Sequence, residues 1–336
     1  MTARVCIVGA GAVGGLIGVR VAQAGADVSV VARGATAAAL RAHGWRLVGQ
    51  DGESTARVRV VDDPAREANP DVVVVAVKAP AMASVAPIVG ALAGPQTAVV
   101  TAMNGVPWWF FHGLAGAPAN ARLRCVDPDG AIAASIASSR IVGAVVHLAC
   151  ATPQPGVVRH GVGNRLIVGE PRGETTPRLD ALATLLRAAR FDVEVSSCIQ
   201  KDIWYKLWGN MTMNPISAFT GATCDRILDD PLVHRFCLDV MAEAAAIGAA
   251  IGCPIAQSGE ARMAVTRQLG AFRTSMLQDV DAGRPVELDA LLSTVREIGA
   301  QVSVPTPHLD TLLGLTRLHA RTHGLYPDAP RPGAGT

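Results

Sequence analysis

The segment Gly9-Ala10-Gly11-Ala12-Val13-Gly14 constrains this chain more than any other, because of what stands on either side of it. Before it lies Val5-Cys6-Ile7-Val8, a short β-branched apolar run that reads as a buried parallel strand. After it, Leu16, Ile17, Val19, Val21 and Ala22 give an apolar helix ending near Gly25, and Val28-Ser29-Val30-Val31-Ala32 reads as a second strand. A Gly-x-Gly-x-x-Gly motif alone is weak. Strand, turn, helix and strand in this order make it a dinucleotide site. Gly9 permits the tight turn, Gly11 lets the backbone approach a pyrophosphate, and Gly14 lets the helix lie close on the sheet. The helix N-terminus then turns its unpaired N–H groups and positive dipole end toward the phosphates.

At the end of the second strand, where a carboxylate would accept hydrogen bonds from the ribose of NAD, the chain has Ala32-Arg33. Asp27 precedes the strand and reads as a turn residue. An Arg at position 33 suits a 2′-phosphate, so NADPH is expected over NADH. Further on, Asp71 to Val77 reads as a central parallel strand with Lys78 at its carboxyl end, and Ala98 to Ala102 as another that leads into Met103-Asn104-Gly105. Lys78 and Asn104 therefore fall at the edge where open α/β sheets bind ligands. Taken singly, Lys78 is equally a solvent-facing loop cation, and Asn104-Gly105 an ordinary turn.

A chain of 336 residues has room for two domains. We place an α/β Rossmann-type domain with a parallel sheet over 1–197 and an all-α domain over 198–326, because Pro and Gly punctuation thins near Cys198 and long helical patterns follow. Leu232 to Ile251 and Arg284 to Val302 are the clearest of these. A Pro- and Gly-rich tail over 327–336 is expected to be disordered. Between the domains' main patterns, Pro153, Pro155 and Gly156 suggest a hairpin, Arg165 to Gly169 a strand and Arg178 to Arg190 a helix. A further hairpin or short strand is expected around Arg57 to Val61.

The 30 basic side chains stand against 28 acidic ones, and a net charge of +2 excludes a strongly electrostatic partner such as bulk nucleic acid. The seven Cys form no Cys-x-x-Cys pair and no His cluster, so no metal site or disulfide framework is expected and a cytoplasmic location is. The uncharged stretch between Lys78 and Arg122 is interrupted by five prolines, too often for the ~20 residues of a membrane span. The first residues lack the apolar core of a signal peptide. A monomer or homodimer acting on a small molecule fits this composition.

Only Lys78, Lys201 and Lys206 break an otherwise all-Arg set of cations. In Ile203 to Pro215, Lys206, Asn210 and Asn214 recur at every fourth position, one polar stripe on a helix flanked by Trp204, Leu207, Trp208 and Met211. Asn is a poor helix former, so the stripe suits hydrogen bonding to a ligand. The alternative is an exposed face with the helix ending at Asn214-Pro215.

Together with Val77-Lys78-Ala79, Asn104-Gly105, Ser275-Met276-Leu277-Gln278-Asp279 and Val286-Glu287-Leu288-Asp289, these motifs resemble the ketopantoate reductases, also called 2-dehydropantoate 2-reductases, over nearly the whole chain. The resemblance implies a Rossmann domain followed by a helical one, an NADPH-dependent reduction of ketopantoate to pantoate in pantothenate biosynthesis, and a set of roles. Lys206 would donate the proton. Asn210, Asn214, Ser275 and Asn104 would hold substrate. The glycine loop, Arg33, Lys78, Asn104, Ala149 and Glu287 would line the cofactor, with Glu287 alternatively orienting Lys206.

The chain departs from the family at Glu287-Leu288-Asp289-Ala290-Leu291-Leu292-Ser293, where many members read Glu-x-Asp-x-x-Asn-Gly. It departs again near Cys224 and Asp225, where an Asn is expected. The run Trp108-Trp109-Phe110-Phe111-His112 reads as a core helix or as a lid over an altered pocket. These differences keep two alternatives open: a reductase of another branched or aromatic 2-oxo acid, and a regulator that binds NADP without turnover. His147 and His112 are read first as packed residues and only second as acids.

Overall fold

In the computed structural model, residues 2–50, 52–64, 67, 69–119 and 121–328 are described. The chain divides into two compact units, Met1–Leu114 with Asp127–Ile203, and Ala115–Val126 with Trp204–Thr336. This differs from a single cut at 197/198. The break comes one turn into a helix, and the excursion 115–126 belongs with the helical unit. Backbone N–H groups of Arg124 and Cys125 donate to the Glu297 carboxylate at 2.7 and 2.9 Å, and Gln301 Nε2 donates to Arg122 O at 3.0 Å. Of the expected tail, Pro327 and Asp328 are described, with Arg321 Nε donating to Pro327 O at 2.9 Å; 329–336 lie outside the described residues.

The first unit opens with β1 (Arg4–Val8), α1 (Ala12–Gln23), β2 (Asp27–Val31) and α2 (Gly34–His43). Asp27 is the first residue of β2, not a turn residue. Next come β3 (Trp45–Gly49), β4 (Gly52–Ala56), β5 (Arg59–Val60), β6 (Val72–Val75), α3 (Met82–Leu92) and β7 (Ala98–Thr101). They are followed by α4 (Ala131–Ser135), β8 (Ile141–His147), β9 (Cys150–Gln154), β10 (Val157–His160), β11 (Arg165–Gly169), α5 (Pro177–Ala188) and β12 (Asp192–Val195).

Eight strands form one sheet in the order β12-β11-β8-β7-β6-β1-β2-β5. The pairs from β8 to β5 are parallel, as is β11 with β12. The β8–β11 pair is antiparallel, because β11 follows from the β9–β10 hairpin rather than from a crossover helix. Strands β1, β6 and β7 are almost wholly apolar, as strands covered on both faces must be.

A second sheet, β4-β3-β10-β9, was legible only in its β9–β10 hairpin; β3 and β4 were missed, and the short strand expected around Arg57 to Val61 is β5 of the main sheet. It covers the outer face of α1. A Cβ on Gly15 would lie 2.3 Å from Val158 Cγ2 and 2.9 Å from Trp45 Nε1, and one on Gly18 would lie 2.8 Å from the Trp45 ring. Trp45, only 1% exposed, thus reaches α1 because these glycines carry no side chain.

The second unit is helical: α6 (Ile199–Thr220), whose first turn lies in the first unit, then α7 (Cys224–Asp229), α8 (Pro231–Ala250), α9 (Gly259–Arg267), α10 (Ser275–Asp281), α11 (Thr294–Gln301) and α12 (Pro307–Thr322). The continuous helix expected over Arg284 to Val302 is not formed. Residues 284–287 are irregular, and a π-helical turn, Asp289–Ser293, precedes α11. α6 runs through Pro215 instead of ending there. The aromatic run 108–112 is a series of tight turns, with Trp109 and Phe110 buried and Trp109 Nε1 donating to Thr101 Oγ1 at 3.2 Å. No helix among the described residues is long and apolar enough to cross a membrane.

Candidate active site

The first unit gathers its candidate residues at one sheet edge. Strands β2, β1, β6 and β7 are neighbours and parallel, and their ends are in register: Val8 pairs with Val31 and Val75, and Val75 pairs with Thr101. The residues that follow them, Arg33, the Gly9–Gly14 loop, Lys78 and Asn104, therefore leave the sheet along the same edge. The chain departs from β1 toward β2 on one side and returns to β6 on the other. This makes the end of β1 the switch point of the sheet, where such folds bind ligands.

Gly9 has φ +108°, and a Cβ there would lie 2.6 Å from Ala76 O, so the loop rests directly on the chain leaving β6. A Cβ on Gly14 would lie 2.1 Å from Gly9 O. Around Gly11, the residue capping α1, a Cβ would meet nothing within 4 Å. The first and third glycines are thus closed against protein, and the second faces open space at a helix N-terminus. That is the shape a pyrophosphate requires.

Arg33 caps the start of α2, is exposed, and makes no side-chain hydrogen bond or ion pair among the described residues. Lys78 is exposed and caps the short 3-10 turn Ala79–Ala81. Asn104 is half-buried beside Gly105, whose φ of +81° makes the turn. Ala149 has both backbone groups engaged, its N–H with Val162 O at 2.7 Å and its O with Gly161 N at 2.8 Å.

The second unit carries the polar stripe. Trp204 Nε1 donates to Ala244 O at 3.2 Å and Trp208 Nε1 to Met241 O at 2.8 Å, fixing the rotation of α6 against α8. At about 100° per residue, Lys206 then projects about 200° away from Trp204, with Asn210 and Asn214 about 40° and 80° further round the helix. Asn214 is 7% exposed and Asn210 half-buried, yet neither amide makes a hydrogen bond among the described residues. Buried amides are ordinarily satisfied, so the two amides have hydrogen-bonding capacity to spare. Burial pushes the half-buried Lys206 ammonium down from 10.5 to about 8, and the Glu287 carboxylate raises it against that trend.

Ser275 opens α10 with an exposed hydroxyl. Neither residue standing near the missing Asn replaces it: Cys224 is buried, its thiol pushed up to about 11, and the Asp225 carboxylate is occupied by Thr223 and the N–H of Arg226. His147 ends β8, half-buried, and His112 lies in the aromatic turns with burial holding it below the usual imidazole range. The anchoring roles of Trp204 and Trp208 were not read from sequence, although their four-residue spacing opposite the stripe was there to be used.

Residues 5–173 match the family model "Ketopantoate reductase PanE/ApbA", and residues 198–320 match "Ketopantoate reductase PanE/ApbA C terminal". The chain belongs to the ketopantoate reductase family. A 2-dehydropantoate 2-reductase of Mesorhizobium japonicum is 42% identical over 96% of this chain and 99% of that protein. Another, from Halobacterium salinarum, is 28% identical over 95% of this chain and 99% of that one. A solved structure from Ralstonia solanacearum MolK2, assigned to the ketopantoate reductases, shares 60% identity and a TM-score of 0.93, covering 97% of this chain and 100% of its own. This ketopantoate reductase family member is an oxidoreductase, and its family implies a nicotinamide cofactor.

Proposed function

We propose that the chain reduces ketopantoate to pantoate with NADPH, using Lys206 as the proton donor. The observation that carries this reading is the α6 stripe: a depressed ammonium under the influence of Glu287, one and two turns from two amides that make no hydrogen bond among the described residues. When bound, NADPH supplies the hydride to the ketone carbon. As charge builds on the ketone oxygen, the Lys206 ammonium stabilises it and gives up a proton from Nζ. Asn210, Asn214, Asn104 and the Ser275 hydroxyl bind the substrate's polar ends. Ala10, Ala12 and Val13 with the three glycines cradle the pyrophosphate, Lys78 lines the cofactor cleft, and the backbone near Ala149 passes the nicotinamide. Glu287 supports the charge on Lys206. Seven free thiols, several buried, suit a reducing cytoplasm.

Assaying a panel of 2-oxo acids by NADPH absorbance tests the substrate. Ketopantoate is expected to lead, and at least about tenfold better kcat/KM on another 2-oxo acid would replace it. NADPH binding without oxidation by any of them would leave a regulator.

Two further outcomes follow from single groups. The acid must hold its proton, so kcat/KM should be level below pH 8 and decline as pH rises through the Lys206 value of about 8. A level profile to pH 10 would remove Lys206 from that step. Arg33→Asp should raise KM for NADPH by about 10- to 100-fold, the worth of a charge-assisted phosphate contact, with KM for NADH little changed. Equal losses for both cofactors would dissociate Arg33 from the 2′-phosphate.

A further inference from the structure

Glu287 lies in an unusual stretch. Residues 284–287 have no regular structure, and the π-helical turn Asp289–Ser293 begins two residues later. Such turns need support beyond their own backbone and occur often at functional sites. Here the support comes from the segment after α12. Val286 N donates to Leu325 O at 3.1 Å, and the Tyr326 hydroxyl donates to Asp289 Oδ1 at 2.7 Å. Two consecutive residues thus grip the chain on either side of Glu287.

Asp289 is held from its own turn as well, since Ser293 Oγ donates to Oδ1 at 2.9 Å and Thr294 Oγ1 donates to the Asp289 carbonyl at 2.7 Å. Ser293 stands where many family members carry Gly. Val286 and Leu288 are 2% and 0% exposed, so their burial sets the side chain of Glu287 between two fixed apolar anchors. The gripping segment is itself fixed. Leu325 N donates to Ala320 O at 2.7 Å, and the Arg321 guanidinium lies 5.5 Å from the Tyr326 ring centroid.

We infer that Tyr326 is a positioning residue for the reaction: through Asp289, its hydroxyl fixes the turn that keeps Glu287 within electrostatic reach of Lys206. The inference rests on Lys206 being the proton donor. The Glu287 charge acts on Lys206, while Asp289, Arg317 and Arg321 act on Tyr326. Burial and the bond to Asp289 hold the phenol well above its ordinary range, so it remains a donor at every working pH. Tyr326 and Asp289 also line a cavity of about 610 Å³ with Ser293, Leu313 and Arg317, so deleting the hydroxyl removes a hydrogen bond without opening a void in packed core.

The sign is fixed. Releasing Glu287 withdraws negative charge from Lys206, the ammonium loses its proton more readily, and the alkaline limb of activity moves to lower pH. Profiles of kcat/KM against pH for wild type, Tyr326→Phe, Glu287→Gln and the double variant test this. We expect Tyr326→Phe to lower the limb by at least about 0.3 pH unit, Glu287→Gln to lower it further, and the double variant to match Glu287→Gln alone. Asp289→Asn, which still accepts from Tyr326, should retain the wild-type limb, and Asp289→Ala should reproduce the shift.

An unmoved limb in Tyr326→Phe, or shifts that add in the double variant, overturns the positioning role. If Glu287→Gln shifts the limb and Tyr326→Phe does not, only that role falls. If neither moves it and Lys206→Arg leaves it in place, Lys206 is not the acid and both readings fall together.

Discussion

Lys206→Ala should lower kcat by at least about 10²-fold while NADPH affinity, measured by fluorescence titration, stays within about twofold. The nucleotide loop and Arg33 are in the other compact unit of the chain, so removing one α6 side chain leaves the groups that hold the cofactor intact. Lys206→Arg is the sharper version. It conserves the charge, and a purely electrostatic role would survive it. A guanidinium stays protonated under all ordinary conditions, so it stabilises the developing oxyanion but does not complete the transfer. The wild-type ammonium is different in kind, because burial brings it down to about 8, near working pH, where proton donation is efficient. We expect Lys206→Arg to be nearly as impaired as the Ala variant. Arg activity within about threefold of wild type would show that charge alone suffices and that the proton comes from elsewhere.

The glycine loop should separate folding from binding. Gly9→Ala forces a side chain into φ +108° and to 2.6 Å from Ala76 O, and Gly14→Ala drives a Cβ to 2.1 Å from Gly9 O. Each should destabilise the protein by about 2–4 kcal/mol, seen as a lower Tm. Gly11→Ala meets no protein atom within 4 Å and should cost less than about 1 kcal/mol. If the pyrophosphate occupies that open space, as proposed, Gly11→Ala should weaken NADPH binding by about 100-fold or more with Tm almost unchanged. Wild-type NADPH affinity in Gly11→Ala would mean that the phosphates lie elsewhere. A large loss of Tm there would mean that the loop packs against protein at all three glycines.

The parts of the fold that were legible are those whose signal is local. β1, α1 and β2 came out within a residue or two because strand, glycine turn and helix follow one another directly. The β9–β10 hairpin and β11 were legible from Pro153, Pro155, Gly156 and the apolar run Leu166-Ile167-Val168. What failed did so for physical reasons. β3 was missed because Trp45-Arg46-Leu47-Val48 is short, and its partner β10 is more than a hundred residues away. Arg284 to Val302 looked helical throughout, but Leu325 and Tyr326 bind its first part and hold it out of a regular helix. The aromatic run at 108–112 could be read as a core helix, yet its backbone forms successive three-residue turns, and Trp109 is tied to Thr101.

By itself the sequence determined the strand–glycine turn–helix unit and the existence of the Lys206 stripe, because both are set by spacings of two to four residues along one element. Tertiary structure decided which way that stripe faces. The Trp204 and Trp208 bonds to α8 set the rotation of α6, and the order of parallel strands brings Arg33, Lys78 and Asn104 to one edge. The segment after α12 holds the turn that carries Glu287, a carboxylate from a distant part of the chain that tunes Lys206. Burial and long-range charge set the reactivity of an amine, and neither is written in the residues adjacent to it.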